Sequence, residues 1–238
     1  MTAHLLGALL ASAATFELRD ASTPGSFDVL IAGTLWFAHG APTTFRRHGQ
    51  TLSSADGTLA LFRERGYEGT SVPQITETLG ICRQSLYKTF GDKRGLYLRA
   101  LERWGQREVD AKLGLLAAEG SPLENVRTVI RGLAAFATSC PSEGCLTVTA
   151  MVENRQDKDA LAVVERQVER LEEGLRDALN QAQERGELSP DARPERLARS
   201  LVTTLYGIGL LTRLPGSGAR IGDAVSVALS LLDASTTR

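Results

Sequence analysis

Histidine is scarce in this sequence, and its distribution limits the chemistry that the protein can perform. The three histidines, His4, His39 and His48, all precede residue 51. The body of the chain therefore offers no imidazole for a catalytic triad, a histidine general base or a typical zinc site. An enzyme that uses carboxylates or thiols would not need imidazole, but no nucleophile paired with a base stands out. We predict that the protein is not an enzyme and has no catalytic residues, metal or cofactor.

Cysteine and long hydrophobic runs are scarce as well. The chain has three cysteines, Cys82, Cys140 and Cys145. An odd number in a chain of this size argues against a disulfide framework and indicates a reducing compartment, so we expect a cytoplasmic protein. No apolar run reaches the roughly 18 residues that suggest a membrane span, and we expect no membrane partner. The short apolar run near the N-terminus lacks the preceding Lys or Arg of a secretory signal.

Aromatic residues make up only 5% of the chain, whereas Ala, Leu, Arg and Glu dominate after residue 51. Those four residues favour helices over strands, so we predict an all-α fold. With 238 residues, of which 42% are hydrophobic and 23% charged, the chain is long enough for one or two domains with a real core. The net charge of −1 means that any affinity for nucleic acid must come from a local patch.

Residues 1–50 differ from the rest of the chain. Their hydrophobic periodicity is weak, and "STPGS" and "HGAPTTF" are typical of turns and loops. We expect a poorly ordered N-terminal extension, which upstream sequence read from an early start codon would explain. The alternatives are a helical or regulatory arm and, less favoured, an export signal.

Three short helical segments and a longer one follow. Apolar residues at helical spacing predict a first helix that stops at Gly66. The second begins with a serine–glutamine capping box at Ser71, and Gly80 then turns the chain into a third helix over about residues 83–90. This order predicts a helix-turn-helix DNA-binding domain over residues 51–98.

Positive charge is concentrated in the third and fourth helical segments. Residues 83–107 contain two acidic and seven basic side chains, a charge of +5, so the rest of the chain carries −6. Such segregation is typical of an anion-binding module, although a solvated helix face is the simpler reading of a basic run alone. The basic residues are Arg83, Lys88, Lys93, Arg94, Arg99, Arg103 and Arg107.

The third segment has side chains suited to a DNA major groove. If Leu86 and Phe90 face inward, the free face presents Arg83, Gln84 and Ser85, and Arg and Gln make bidentate contacts to guanine and adenine. Other side chains are placed to reach phosphates: Thr70, Ser71, Tyr87, Lys88 and Lys93. For Tyr87, a packing role is the competing interpretation.

From about Thr58 to Trp104 the sequence resembles the TetR/AcrR family of transcriptional regulators. The resemblance is carried by "LALFRERGYEGTSVPQITETLGICRQSLYKTFGDKRGLYLRAL" and, more weakly, by "GCLTVTAMVE". It implies an all-helical homodimer that binds a double-stranded DNA operator, with a small-molecule effector that releases it; we predict a repressor. The resemblance carries a DNA-contact role onto Thr70, Arg83, Gln84, Ser85, Tyr87, Lys88, Thr89 and Lys93.

Two features depart from the family pattern. Cys82 stands where a serine commonly caps the third helix, and a thiol is a weak acceptor, so about 0.5–2 kcal/mol of capping is lost. The 50-residue extension is longer than the usual short arm. Within it, Arg46 and Arg47 are candidates for an arm that reaches the DNA backbone or minor groove.

Residues 99–238 are predicted to form a helical effector-binding and dimerisation domain. The last two helices, over about residues 194–211 and 221–232, are apolar, low in charge and rich in small residues, so we expect them to form a four-helix bundle with a second subunit. The alternative is that they only complete the monomer's core. Candidate contacts to a mostly apolar effector, each of which ordinary core packing also explains, are Trp104, Phe136, Met151, Glu153, Leu175 and Tyr206.

Two alternatives concern the thiols and the function class. Cys140 and Cys145, or Cys82 beside Arg83, could sense oxidation, although burial as small hydrophobic side chains is the simpler role for the first two. A helical enzyme or ligand carrier with a vestigial DNA-binding head, and a recombinase-type domain, are the competing function classes. The intact pattern of residues 83–93 disfavours the first, and the lack of a catalytic carboxylate cluster disfavours the second.

Overall fold

The computed structural model describes the backbone of residues 16–20, 27–31, 34–37, 44–47, 50–139 and 145–236, and the side chains of residues 58–132 and 145–236. Five short strands occur in its first part: β1 (Phe16–Asp20), β2 (Phe27–Ile31), β3 (Thr34–Phe37), β4 (Thr44–Arg47) and β5 (Gln50–Ser53). They pair as an antiparallel sheet of order β1–β2–β3 and a β4–β5 hairpin. The sequence pattern predicts a poorly ordered extension over residues 1–50 and does not indicate these strands. Their Phe, Val, Ile, Thr and Trp residues are those that suit an extended backbone.

Nine helices follow among the residues that the structure describes, and they confirm the predicted all-α architecture from residue 54 onward. They are α1 (Ser54–Arg65), α2 (Val72–Leu79), α3 (Arg83–Phe90), α4 (Lys93–Leu116), α5 (Pro122–Ser139), α6 (Leu146–Glu153), α7 (Lys158–Glu184), α8 (Pro194–Leu211) and α9 (Gly218–Ala234). By periodicity alone, the sequence that forms α6 is compatible with either a strand or a helix. Its helical surroundings favour a helix, and a helix is what the structure has there.

The chain divides into two compact units. The first unit contains residues 1–60 and 71–96, and the second contains residues 61–70 and 97–238. The boundary therefore falls inside α1 and again inside α4. The end of α1 and the loop that follows it belong with the C-terminal helices, although they lie within the segment that the sequence assigned to DNA binding.

In the first unit, apolar side chains on one face of each short helix are buried. Ile75 and Leu79 of α2, Leu86 of α3 and Leu96 of α4 are all buried, with the periodicity that the sequence predicted. Burial of such residues stabilises by about 1.5–3 kcal/mol each, so short helices that would be marginal alone are held by packing.

In the second unit, one continuous apolar core joins α4, α5, α7, α8 and α9. The long charged helix α7 contributes a stripe that includes Leu171, Leu175 and Leu179, all buried. Asp157 caps α7 by accepting hydrogen bonds from the amides of Asp159 and Ala160, both at 3.1 Å. Among the helices of the described residues, none is both long and apolar enough to cross a bilayer.

Candidate nucleic-acid interface

The turn between α2 and α3 is built from local signals that the sequence carries. Ser71 caps α2 in a complete capping box: its amide donates to the Gln74 side chain at 2.8 Å, and its hydroxyl accepts from the Gln74 amide at 3.4 Å. At the other end, Gly80 adopts φ 65°, a left-handed conformation that glycine reaches without strain. The predicted start and stop of this helix are confirmed, and they fix the direction in which α3 leaves the turn.

Helix α3 has a buried side and an exposed side. Leu86 is fully buried and Phe90 is half-buried, whereas Arg83, Gln84, Tyr87 and Lys88 are exposed. Residues three and four apart share one face of a helix, so these four side chains form one continuous surface. We call it the α3 outer face. It offers a guanidinium, an amide, a phenol and an ammonium, which include the groups that hydrogen-bond to base edges and phosphates.

Ser85 and Thr89 lie at the edge of this surface and are half-buried. The Ser85 hydroxyl is 3.2 Å from the Cys82 sulfur, so it is already engaged within its own helix. Their positions are less open to a partner than those of the four residues of the α3 outer face.

The two residues that directly precede α2 differ in their exposure. Ser71 is exposed, although its hydroxyl and amide take part in the capping box. Thr70 is completely buried, and its hydroxyl donates to the Gly66 carbonyl at 2.7 Å. This gives Thr70 a structural role at the end of α1, which does not favour the phosphate contact that the sequence suggested for it.

Cys82 occupies the N-cap position of α3 with the extended backbone of a capping residue but makes no side-chain cap hydrogen bond. The structure therefore has the weak N-terminal cap of α3 that the sequence predicts. The thiol is exposed, and the hydrogen bond from Ser85 lowers its pKa below the usual value for cysteine.

The start of α4 is only partly open to an anion. Lys93 begins this helix and is half-buried. The Asp92 carboxylate accepts a hydrogen bond from the Gly95 amide at 2.6 Å, so one of the amides expected to face a phosphate already has an acceptor. The phosphate contact predicted for Lys93 stays a prediction, with Asp92 competing for the amides beside it.

The candidate effector contacts lie in different settings within the second unit. Leu175 is fully buried in the apolar core, and Tyr206 is partly buried against that core, where burial raises the pKa of its phenol. Met151 is half-buried on α6. The side chain of Phe136 lies outside the described residues. The position of Leu175 supports ordinary core packing, which was the alternative to an effector contact.

Trp104 is buried. Within the described part of the chain, its indole N–H finds no hydrogen-bond acceptor. The guanidinium carbon of Arg63, near the end of α1, lies 4.3 Å from the centre of the indole ring, which is a cation–π contact. Trp104 therefore touches α1 directly and retains an unused hydrogen-bond donor.

Glu153 is exposed at the end of α6, and its carboxylate accepts a hydrogen bond from the Tyr67 amide at 2.9 Å. From the loop after α8, Arg213 donates to the Arg63 carbonyl at 2.8 Å and to the Thr149 hydroxyl at 2.7 Å. No sequence pattern pointed to Arg213. Gly66 leaves the space that the Glu153 carboxylate occupies, but a glycine at the end of α1 does not indicate which side chain fills that space.

Exposed apolar side chains lie on α8, on α9 and in the loop between them. Leu210, Leu214, Val227 and Leu231 are between 47% and 58% exposed, while the opposite sides of both helices enter the core. The small residues Thr203 and Gly207 are exposed on α8 beside this surface. A monomer gains nothing from leaving such side chains in water, so the surface is a candidate subunit interface.

Among the described residues, no group of three His, Cys, Asp or Glu side chains could hold a metal ion. Cys145 is half-buried with a free thiol. Cys140, named with it as the alternative oxidation sensor, lies outside the described residues, as do the side chains of Arg46 and Arg47.

Comparison with known proteins gives two family matches. Residues 55–100 match the model of bacterial regulatory proteins of the tetR family, and residues 122–228 match that of a tetracyclin repressor-like C-terminal domain. The chain is 33% identical over 178 residues to the uncharacterized HTH-type transcriptional regulator YezE of Bacillus subtilis, covering 74% of this chain and 92% of that protein. It is 26% identical to the HTH-type transcriptional repressor ComR of Escherichia coli, covering 74% of this chain and 83% of that protein.

Among solved structures, a cysteine mutant of the TetR family regulator CifR in complex with 26 bp operator DNA matches with a TM-score of 0.66 and 27% identity. The match covers 74% of this chain and 94% of that one.

Proposed function

Because the chain belongs to the tetR family of bacterial regulatory proteins, DNA-binding regulators of transcription, we propose that it is a repressor released from its operator by a small effector. It would bind double-stranded DNA as a homodimer in the cytoplasm, where it has access to the chromosome. ComR is named a repressor and CifR was solved with operator DNA, and these relatives support the repressor role and the binding of double-stranded DNA.

The observation that carries the proposal is the α3 outer face. Arg83 and Gln84 are exposed at the start of the second helix of a helix-turn-helix, the part that contacts base edges when such a helix enters the major groove. Arg can bind a guanine and Gln an adenine, each with two hydrogen bonds. We assign sequence reading to these two residues, with Ser85 at the edge of the contact.

Phosphate contacts would set the position of α3 on the duplex. Tyr87 and Lys88 are exposed on the same face, and Lys93 begins the next helix. Ser71 and Thr89 would lie at the borders of this contact. Such contacts supply affinity but little sequence information, and they make binding strongly dependent on salt.

A homodimer would form through the exposed surface of α8 and α9. The four apolar side chains Leu210, Leu214, Val227 and Leu231 are each about half exposed, and the neighbouring small residues allow close approach of helices. Two helices from each subunit would make a four-helix bundle. A two-fold dimer can then present two α3 helices about 34–36 Å apart, one turn of DNA.

The effector would act by binding better to the arrangement that does not fit DNA. Trp104, Met151 and Tyr206 provide apolar surface on helices of the second unit, which supports a mostly apolar effector. The buried indole N–H of Trp104 supports one that also carries a hydrogen-bond acceptor. Glu153 is less suited to contact an effector than the sequence suggested, because it is exposed and its carboxylate accepts a hydrogen bond from the Tyr67 amide.

Selection of duplexes from random DNA, followed by gel shifts on the selected sequence, tests the proposal. We expect a Kd in the range of about 10⁻⁸–10⁻¹¹ M that weakens at least about tenfold when salt rises from about 50 to 200 mM. Lys88→Ala should weaken every duplex similarly and reduce the salt slope by about one for each copy. Lys158→Ala, an exposed lysine on α7, is the matched control and should bind like the wild type. If no sequence is enriched, the proposed function is wrong.

A further inference from the structure

The C-terminal helices hold the end of α1 through two charged side chains, Glu153 and Arg213, which we call the anchor pair. Glu153 binds the first amide after the α1 stop, that of Tyr67, at 2.9 Å. Arg213 binds the Arg63 carbonyl at 2.8 Å. The two side chains come from separate elements, α6 and the loop after α8. Both bind backbone groups of residues 63–67, at the end of α1.

Backbone atoms left free at a helix end require partners, and here the partners come from the effector-binding unit. Gly66 shows that the contact with Glu153 is built into the chain. It adopts φ 71°, and a Cβ at this position would overlap the Glu153 carboxyl group. Glycine at position 66 accommodates the left-handed backbone, and a Cβ there would move the Glu153 carboxyl group from its place beside the Tyr67 amide.

The anchor pair is connected to the candidate effector contacts. Arg213 also donates to the Thr149 hydroxyl of α6, which is a buried residue, at 2.7 Å. Arg63, whose carbonyl Arg213 binds, places its guanidinium over the Trp104 ring. A shift of α6 or of Trp104 would therefore displace the last turn of α1. The first residues of α1 belong to the DNA-binding unit.

We propose that Glu153 and Arg213 are positioning residues that couple the state of the effector-binding unit to operator binding, by fixing the end of α1 to α6 and to the loop after α8. This rests on the proposed function, because it requires that the protein bind DNA. Coupling is reciprocal, so operator DNA must act back on α6 if an effector at α6 acts on DNA. The selected operator duplex can therefore be the probe, and no effector is needed.

Hydrogen–deuterium exchange of the full chain, with and without that duplex, tests the coupling. In the wild type, operator should slow exchange in residues 146–157 of the second unit by about threefold or more. In the variant that combines Glu153→Ala and Arg213→Ala, exchange in residues 61–70 should rise about three- to tenfold, as expected for lost hydrogen bonds at an exposed site. The response of residues 146–157 to operator should disappear, while operator binding itself persists.

Conservative variants separate coupling from simple loss of structure. Glu153→Gln keeps an amide oxygen that can accept from the Tyr67 amide, so it should retain most of the response. Arg213→Lys keeps a donor and should retain part of it. The matched controls Glu119→Ala and Arg196→Ala, both exposed in the same unit, should behave like the wild type.

The outcomes differ for the two proposals. If the wild type binds no selected duplex, the proposed function fails first. If it binds, but residues 146–157 do not respond or respond equally in the double alanine variant, the coupling role of the anchor pair is wrong while the proposed function stands.

Discussion

A single charge on the exposed surface of α8 and α9 should break the proposed homodimer. Val227 is 58% exposed, the largest value among the four apolar residues of that surface. Complete burial of such a side chain is worth about 1.5–3 kcal/mol, so covering the exposed half contributes about 0.7–1.5 kcal/mol. Eight side chains in a dimer give about 6–12 kcal/mol, which is comparable with the cost of association and leaves a small margin.

Val227→Glu removes this contribution twice and places two carboxylates where they must lose water. Together these effects should weaken dimerisation by more than about 3 kcal/mol, or more than a hundredfold in Kd. Sedimentation velocity across a concentration series measures the shift from dimer to monomer. Operator affinity should fall with it, because two half-sites can no longer be bound together.

Leu115→Glu is the matched control. Leu115 is 43% exposed on α4, so the substitution adds the same charge to an exposed apolar side chain outside the α8 and α9 surface. This variant should remain dimeric. A Val227→Glu protein that sediments like the wild type, or a Leu115→Glu protein that dissociates equally, would refute the assignment of the interface to α8 and α9.

Three further predictions concern the DNA-binding helices and the end of α1. Cys82→Ser should stabilise the protein by about 0.5–1 kcal/mol relative to Cys82→Ala in urea unfolding, because serine restores the missing cap of α3; equal stability would contradict this. In the wild type, iodoacetamide at neutral pH should modify Cys82 before Cys145, since the Cys82 thiol is more exposed and its lowered pKa leaves more thiolate; mass spectrometry that finds Cys145 modified first would overturn this reading. Gly66→Ala should cost at least about 1 kcal/mol in urea unfolding, more than Gly114→Ala, where an added Cβ meets nothing; a smaller loss at Gly66 would show that the Glu153 contact yields easily.

Much of the DNA-binding half was predictable because its signals are local. The capping box at Ser71 and the left-handed Gly80 bound α2 as predicted, and the spacing of Leu86 and Phe90 told which side of α3 faces inward. Each of these depends on residues within four positions of one another, so a linear pattern is enough to read them.

The contacts at the end of α1 could not be predicted in the same way. Tyr67 and Glu153 are 86 residues apart, and Arg63 and Arg213 are 150 apart. No local pattern specifies which carboxylate or guanidinium will meet a given backbone group. Thr70 is a different case, because its partner Gly66 is only four residues away; its position before α2 suggested a phosphate contact and did not indicate that the side chain is buried.

The most direct test of the account is whether Gln84 reads a base. Wild type, Gln84→Ala and Lys88→Ala would be titrated against the selected operator and every single-base variant of one half-site. For Gln84→Ala, we predict that discrimination at one position falls by about 1–3 kcal/mol while the other positions keep their ranking. For Lys88→Ala, all duplexes should weaken together. If Gln84→Ala ranks the duplexes as the wild type does, α3 does not read DNA in the way proposed.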